Sequence, residues 1–448
     1  MTYRIAKNLF IVSMLSATAA HAEDAASPLS VHGAVRLRYE AVDGQARVGF
    51  NSSDELTNIR SQISVEYKKP DFRVFVELWD SRAYGAIIGT PLSTGEVNTV
   101  EFVQAYVVKD LPGLLGKGTN VSLTAGRMML NIGSRRIVAA DDYRNTTNGY
   151  TGVRADISAP HGVKATAIYV LPTQRLPEDF QSLRDNAVQM DRENFDQVLW
   201  GGVVSKAKLL GPATAELAFY HYGERDTPRL ATRDRSINSI NGRLFFDPTP
   251  GKLDYELEGV WQTGDISAST AATAARLAVS ATFWHGRVGY TFPGGWKPHV
   301  ALEFDAASGD KPGGKYGRYD ILFGFRRGDF GPSGIFNAIH RTNIVSPAIR
   351  VDAAPSKKWD WMVAYRPMWL ASAYDSFATT NVRDASGRSG KFAGHLMDAR
   401  VRTWFIPKRL RFEVNGSLIA KGRFLLDAPN ATPQNWTRYG SVNLTAMF

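Results

Sequence analysis

The sequence predicts an all-β protein, a transmembrane antiparallel β-barrel of about 18 strands. Three observations predict this fold: apolar and polar side chains alternate along many segments, short and long connections alternate between those segments, and the last segment ends in an aromatic residue. Strands of a membrane barrel turn every second side chain towards lipid and the others towards an aqueous interior. A content of 11% aromatic residues and 40 glycines, with no long apolar run after the first residues, fits that arrangement.

Residues 1–22 are typical of a secretory signal peptide. Basic residues precede an apolar run over residues 9–15, and an Ala-His-Ala sequence ends at Ala22. A charged start, a short apolar stretch and an A-x-A site together mark such a peptide. The apolar run is shorter than the ~20 residues that span a bilayer. We therefore expect export, cleavage after Ala22 and a single barrel domain over residues 23–448.

The chain contains no cysteine and has a formal net charge of +10. The absence of cysteine excludes disulfides, zinc–thiolate sites, a cysteine nucleophile and a lipoprotein anchor. A positive balance in an exported protein indicates anionic partners, such as lipopolysaccharide, acidic sugars or organic acids. The basic residues are scattered and no nucleic-acid motif is present, so we expect no nucleic-acid partner.

Strict alternation predicts the strands themselves. Over residues 72–79, one face carries Phe, Val, Val and Leu, and the other carries Arg, Phe, Glu and Trp. Residues 31–39 and 409–415 alternate in the same way. One apolar and one charged face are the signature of half-buried β structure. A soluble secreted β protein also produces this pattern, so alternation alone leaves that alternative open.

The connections between these strands differ in length in a regular order. Tight turns are predicted at residues 69–71, 159–162, 211–212, 247–251, 293–295, 354–356 and 407–408, and a somewhat longer turn at residues 111–118. Longer polar segments lie between them, at residues 43–54, 85–96, 131–148, 173–194, 224–234, 310–340, 374–391 and 427–434, with a shorter connection near 264–265. Outer-membrane barrels have this asymmetry, with short periplasmic turns and long extracellular loops. We expect a barrel of this size to enclose a water-filled channel.

The end of the chain agrees with a closing barrel strand. Val442, Leu444, Ala446 and Phe448 alternate with other residues, and the terminal aromatic resembles the signal that the barrel assembly machinery recognises. Tryptophans near predicted turns, such as Trp296, fit the aromatic belt at a membrane–water interface. Ordinary core aromatics are the alternative interpretation.

Several segments resemble the alginate-export family of outer-membrane barrels. Residues 35–40 are similar to the family's opening strand, and residues 125–136 resemble its Gly-Arg-Gln strand and the Tyr-Gly-x-x-Arg turn that follows. Met128 and Ile132 replace the usual Gln and Tyr there. Further similar segments lie at residues 148–154, 307–310, 319–324 and 341–344, so the resemblance extends over nearly the whole chain.

The resemblance implies a monomeric barrel of the Gram-negative outer membrane, with the strand number predicted above. Its arginine-rich lumen would pass an acidic, alginate-like polysaccharide outward. Outer-membrane lipid, lipopolysaccharide and the barrel assembly machinery would be its further partners, and no cofactor is expected.

Arginines on the inward face are the candidate site. Alternation places the following residues towards the lumen, as pore-lining and substrate-binding groups: Arg36, Arg38, Arg60, Arg73, Arg127, Arg154, Arg243, Arg350, Arg400, Arg402 and Arg411. Guanidinium groups stay charged and bind carboxylates through paired hydrogen bonds, and a row of weak sites lets an anion enter and leave. Acidic residues predicted on the same face are Glu40, Glu66, Glu77, Asp156, Glu256, Glu303, Asp305, Asp398 and Glu413. Any one of these charges could instead pair across strands and stiffen the wall.

Residues 310–340 form the longest predicted loop. Folding into the pore as a gate and lying disordered at the surface are equally compatible with its composition. Asp305, Asp310 and Asp320 are a weaker candidate for a calcium site, because their spacing does not match an EF-hand loop. We therefore expect no metal.

The motifs argue against catalysis. The chain has no G-x-S-x-G elbow and no H-E-x-x-H motif, and its histidines are dispersed. A barrel-embedded hydrolase would need a His–Ser or acid pair facing each other on neighbouring strands. The leading hypothesis is an export or diffusion channel for an acidic polysaccharide or its fragments; the alternative is a passive uptake porin for small organic anions or sugars.

Overall fold

The computed structural model describes residues 27–141, 143–228, 230–326 and 328–448. The predicted signal peptide lies outside these residues. Within them, eighteen long strands form one closed sheet in which each strand is antiparallel to the next in the sequence. The predicted fold class is therefore confirmed. No helix in the described residues is long and apolar enough to cross a membrane.

The barrel strands follow one another in chain order. They are β1 (Leu29–Asp43), β2 (Ser53–Lys69), β3 (Phe72–Tyr84), β4 (Asn98–Pro112), β5 (Asn120–Met128), β6 (Tyr150–Ala159), β7 (Val163–Pro172), β8 (Gln197–Leu210), β9 (Ala213–Glu224), β10 (Ser236–Phe246), β11 (Leu253–Ser267), β12 (Arg276–Thr291), β13 (His299–Ala307), β14 (Ile344–Ser356), β15 (Trp359–Trp369), β16 (Phe392–Ile406), β17 (Leu410–Lys421) and β18 (Trp436–Met447). The connections carry a 3-10 turn (Pro160–Gly162), two helical turns, α1 (Phe180–Arg184) and α2 (Arg423–Asp427), and a two-residue strand (Lys315–Tyr316) that pairs with β12.

The first and last strands close the sheet. In β1, Arg38 lies opposite Asn58 of β2 on one side and Asn443 of β18 on the other. The backbones of Gly33 and Phe448 exchange two hydrogen bonds, of 2.8 and 2.9 Å. Closure leaves no open sheet edge, which is the condition for a sheet to span a lipid bilayer.

The connections alternate in length as predicted. β2 ends at Lys69 and β3 begins at Phe72, whereas β13 ends at Ala307 and β14 begins only at Ile344. All long connections lie at one end of the barrel, and both described termini lie at the other end with the short turns.

The connection predicted near residues 264–265 is an exception. This dipeptide lies inside β11, which continues to Ser267 before the loop at residues 268–275. Gly264 has a φ of +125°, and the carbonyl oxygen of Ser236 in β10 occupies the space that a Cβ at position 264 would need. The glycine permits a close approach of two strands here, rather than a turn.

The outer face of the barrel is apolar. Leu217, Leu257 and Leu302 point away from the lumen and are more than half exposed. The rings of Trp296 and Trp359 pack edge to face, 5.8 Å apart, beside the short turns. An apolar band bordered by aromatic rings matches the hydrocarbon core and interface of a membrane.

Three long loops dock inside the loop end of the lumen, so the predicted channel is narrowed at this level. These loops span residues 129–149, 308–343 and 370–391, and Phe336 and Phe377 from the last two are fully buried. Many inward side chains at the loop ends of the strands are apolar: Val42, Leu56, Val170, Leu199, Ile237, Val260, Phe283, Ile344 and Ile419. Covering these side chains removes apolar area from water and stabilises the docked loops.

We expect Leu302→Arg to lower the stability of the barrel in vesicles by about 2–4 kcal/mol, the cost of an arginine near the bilayer midplane. Ser64 faces the lumen opposite Glu77, so Ser64→Arg is the matched control and is expected to change stability little. Denaturant titration of refolding into vesicles measures both. An equal effect of the two substitutions would contradict the assignment of the outer face to lipid.

Candidate functional site

Ten of the eleven predicted arginines lie on inward-facing columns of the barrel. Five of them, from β1, β16 and β17, line one cavity of about 160 Å³. This cavity lies inside the barrel, between the docked loops and the short turns. We call this set the inner arginine cluster; its members are Arg36, Arg38, Arg400, Arg402 and Arg411. Closure of the sheet brings together residues from the two ends of the chain.

The inner arginine cluster holds a loop in place as well as lining a cavity. Arg36 donates to the carbonyl oxygen of Arg144 at 2.7 Å, and Arg38 donates to that of Tyr143 at 2.7 Å. The guanidinium of Arg38 also stacks 4.2 Å from the centre of the Tyr143 ring. Hydrogen bonds to carbonyls fix a guanidinium without cancelling its charge.

Carboxylates are fewer than arginines at this cavity. Arg400 and Arg402 share the carboxylate of Asp360, at 3.2 and 3.0 Å. Glu413 is the carboxylate among the residues that line the cavity. The inner arginine cluster therefore carries an excess of positive charge towards the lumen.

The other inward arginines are balanced individually. Four of them pair with carboxylates of the wall: Arg73 with Glu66, Arg154 with Asp156, Arg243 with Glu216 and Glu256, and Arg350 with Asp352. Arg60 stacks 4.3 Å from the ring of Trp79 and donates to the carbonyl oxygen of Arg144 at 3.2 Å. These contacts fit the alternative that some inward charges stiffen the wall.

Arg127 does not point into the lumen as predicted. It shares its column with Leu123 and Ala125, which face outward, and its guanidinium pairs with Glu101 and, at 2.7 Å, with Glu193 at the loop rim. The inward position is taken by the next residue, Met128, which is buried against the docked loops. Alternation then requires Arg127 to lie on the outer column.

A buried ionic network, which the alternation of strands could not reveal, locks two loops to the wall. Arg136 of the loop at 129–149 reaches Glu256 at 2.6 Å, contacts Glu258, and donates to Asp329 of the loop at 308–343 at 2.8 Å. Asp329 also pairs with Arg341. Burial raises the pKa of Asp329, but Arg136 and Arg341 outweigh this effect and hold it well below its usual value. Arg136 lies in the segment 125–136, which resembles the family, and this resemblance was the signal in the sequence that could have identified it as a functional residue.

The long loop at 308–343 therefore folds into the lumen, as the gate hypothesis required. The three aspartates considered for calcium are not brought together: Asp305 pairs with His285 and Arg366, Asp320 pairs with Arg235, and Asp310 accepts from the backbone of Gly317. Across the described ranges, no group of three or more His, Cys, Asp or Glu side chains is arranged to hold a metal ion.

A second basic cavity lies on the loop side. It has a volume of about 130 Å³ and is lined by Arg47, Glu96, Arg144, Arg175 and Arg326, among others. Burial raises the pKa of Glu96 to about 7, although hydrogen bonds from Ser93 oppose that shift.

We expect Asp329→Asn to release the docked loops, because it leaves Arg136 and Arg341 buried without their shared carboxylate, a loss of about 3–5 kcal/mol. Single-channel recording should show a larger and noisier conductance. Asp427→Asn, at an exposed loop-side pair with Arg423, is the control. Identical currents from the wild type and Asp329→Asn would argue against the ionic lock.

Acidification from about pH 8 to about pH 6 is expected to raise the anion preference of the channel, because protonation of Glu96 removes a negative charge from the second basic cavity. The negative charge of Glu40 repels that of Glu96 and so also favours protonation of Glu96. The measurement is the reversal potential under a salt gradient. Glu96→Gln should flatten the dependence, and a variant that titrates like the wild type would contradict the assignment.

Comparisons with known proteins agree with this architecture. The model of a family described as alginate export matches residues 27–437. Among solved structures, the chain is similar to a BenF-like porin from Pseudomonas fluorescens Pf-5, with a TM-score of 0.59, 13% identity, and 94% of this chain and 98% of that chain covered.

Two structures from Pseudomonas aeruginosa are also similar. OccK2 (OpdF), in complex with glucuronate, gives a TM-score of 0.57 at 10% identity over 94% of this chain and 96% of that one. OpdK with vanillate gives 0.57 at 12% identity, over 94% and 98%. At such identities the likeness shows a shared fold. No curated protein matches the chain by sequence.

Proposed function

The chain belongs to the alginate export family of outer-membrane barrels, and from that membership we propose that its channel passes an acidic polysaccharide, or fragments of one, through the lumen. Family and fold are those of transport porins, and the protein is an outer-membrane channel. The proposal concerns the cargo.

One observation supports an acidic cargo above all. The inner arginine cluster gathers five guanidinium groups at a single cavity, with three carboxylates near them among the described residues: Glu40, Asp360 and Glu413. Arginine binds carboxylates in a planar, bidentate geometry and remains charged throughout the physiological pH range. An excess of fixed positive charge inside a low-dielectric wall concentrates anions at this point.

The docked loops determine the form in which such a cargo would pass. With the loop end of the lumen narrowed by docked loops, a polymer would have to pass as a single extended chain. A uronate polymer carries one carboxylate on each sugar, so successive residues could exchange between guanidinium groups. Binding at several moderate sites permits both entry and release.

A second candidate is passive uptake of small organic anions or acidic sugars, and the narrow lumen supports it. The inner cavity, of about 160 Å³, has room for a small acid rather than a bundle of chains. The similar porins with glucuronate and with vanillate hold small carboxylates in their structures.

Bilayer recordings of the wild type with a uronate monomer and with a uronate polymer separate these candidates. Block by the polymer at lower uronate concentration than by the monomer supports the polysaccharide. Block by the monomer alone supports uptake of small acids. A channel with no anion preference and no block by either would contradict both.

We expect the double variant Arg402→Gln/Arg411→Gln to lower the anion-to-cation permeability ratio several-fold, because two fixed charges leave the inner cavity. Reversal potentials under a salt gradient measure the ratio. Arg438→Gln removes a charge from an exposed pair with Asp43 at the loop rim and should leave the ratio unchanged. An equal ratio in all three proteins would argue against the inner arginine cluster as the source of selectivity.

A further inference from the structure

Three arginines that the strand pattern did not assign meet on the loop side of the barrel. Arg144, Arg175 and Arg326 line both the second basic cavity and an adjoining one of about 310 Å³, which Thr94 also borders. They belong to three different loops, at residues 129–149, 173–196 and 308–343. We call them the outer arginine site.

Neutral groups hold Arg175, and one of them also contacts Arg144. Arg175 donates to the carbonyl oxygens of Thr94 and Thr147, at 3.0 and 3.1 Å, and to Oδ1 of Asn148 at 2.9 Å. Arg144 donates to the same Asn148 oxygen at 2.5 Å. These bonds fix the positions of two guanidinium groups beside one another before any ligand arrives.

Arg326 is also held by an amide rather than a carboxylate. Its Nη1 donates to Oδ1 of Asn337 at 2.5 Å. Arg175 and Arg326 are therefore oriented by neutral groups that accept their hydrogen bonds and leave their positive charge uncancelled.

Positive charge exceeds negative charge around the outer arginine site. Among the described residues that line the two cavities, five are arginines and three are carboxylates: Arg47, Arg144, Arg175, Arg235 and Arg326 against Glu96, Asp141 and Glu178. Arg144 pairs with Asp141 at 3.1 Å, whereas within the described part of the chain neither Arg175 nor Arg326 makes an ion pair. Burial, followed by repulsion from Arg144, lowers the pKa of both Arg175 and Arg326 to about 10. Buried cations without counter-charges are costly, and a bound anion would reduce that cost.

We propose that Arg144, Arg175 and Arg326 form a second carboxylate-binding site, on the extracellular side of the loop constriction. This inference rests on the proposed function and adds to it a binding site that is separate from the inner arginine cluster. We call the two binding sites stations. The two stations are divided by Tyr143 and Phe325, which line the inner cavity while their chain neighbours Arg144 and Arg326 line the outer ones. Anions pass the constriction by leaving one station for the other.

The cavity also defines the size of the ligand. A volume of about 310 Å³ lies at the small end of the ~300–1,000 Å³ range of small-molecule sites. Thr173, Gln174 and Gln197 line it and supply groups that bind hydroxyls. The site fits one carboxylate-bearing sugar ring or an organic acid of similar size.

Recording single channels with sodium glucuronate on one side at a time tests the inference, because the two stations face opposite sides of the constriction. For the wild type we expect block from each side. Arg175→Gln/Arg326→Gln should weaken block from the loop side about tenfold or more and leave block from the turn side nearly unchanged. Arg402→Gln/Arg411→Gln should show the opposite asymmetry.

Controls separate a lost site from a misfolded loop. Arg225→Gln changes an exposed, loop-side arginine, and glucuronate should block this variant as it blocks the wild type. Arg326→Lys keeps the charge and should retain most of the loop-side block, which a merely structural role would not produce. Loop-side block unchanged in Arg175→Gln/Arg326→Gln overturns the inference. If the Arg402→Gln/Arg411→Gln variant still alters selectivity in that case, the proposed function stands without it.

Discussion

The pairing of β1 with β18 is the interaction on which the rest of the structure depends. A bilayer offers no water to backbone amides and carbonyls, so a spanning sheet has to satisfy all of them by closing on itself. Once closed, the sheet has an inside and an outside, and the two-residue period assigns each side chain to one of them. Closure also sets Arg36 and Arg38 of the first strand beside Arg400, Arg402 and Arg411 of the later strands. The cavity that we propose to select anions is thus formed by the same seam that stabilises the barrel.

The lumen combines two solutions to the problem of burying charge. In the network around Arg136 and Asp329, opposite charges neutralise one another, and the result is a rigid attachment of loops to the wall. Around Arg36, Arg38 and Arg175, neutral carbonyls and amides hold the guanidinium groups. Carboxylates neutralise the arginines of the first arrangement, whereas hydrogen bonds to carbonyls and amides, as in the second, do not cancel a positive charge. The arginines that lock the loops and those that we propose to bind anions are therefore neighbouring but different sets.

Alternation in the sequence was enough to predict the strands, the order of short and long connections and most inward arginines, because lipid on one side and water on the other enforce a simple period. The alternation failed at positions where docked loops or close strand contacts, rather than lipid and water, determine the structure. Met128 packs against docked loops and displaces Arg127 to the outer column, and Gly264 marks a close approach of strands instead of a turn. The loop arginines, such as Arg175 and Arg326, have no period at all, and their meeting depends on tertiary contacts.

The bonds between Gly33 and Phe448 have a consequence for biogenesis. The two partners stand near opposite ends of the polypeptide, so the seam forms only after the final strand has reached the membrane. Until then the inner arginine cluster is dispersed, since β1 has not met β16 and β17 across β18. Closure of the wall and assembly of the cavity that we propose to bind anions are consequently one event.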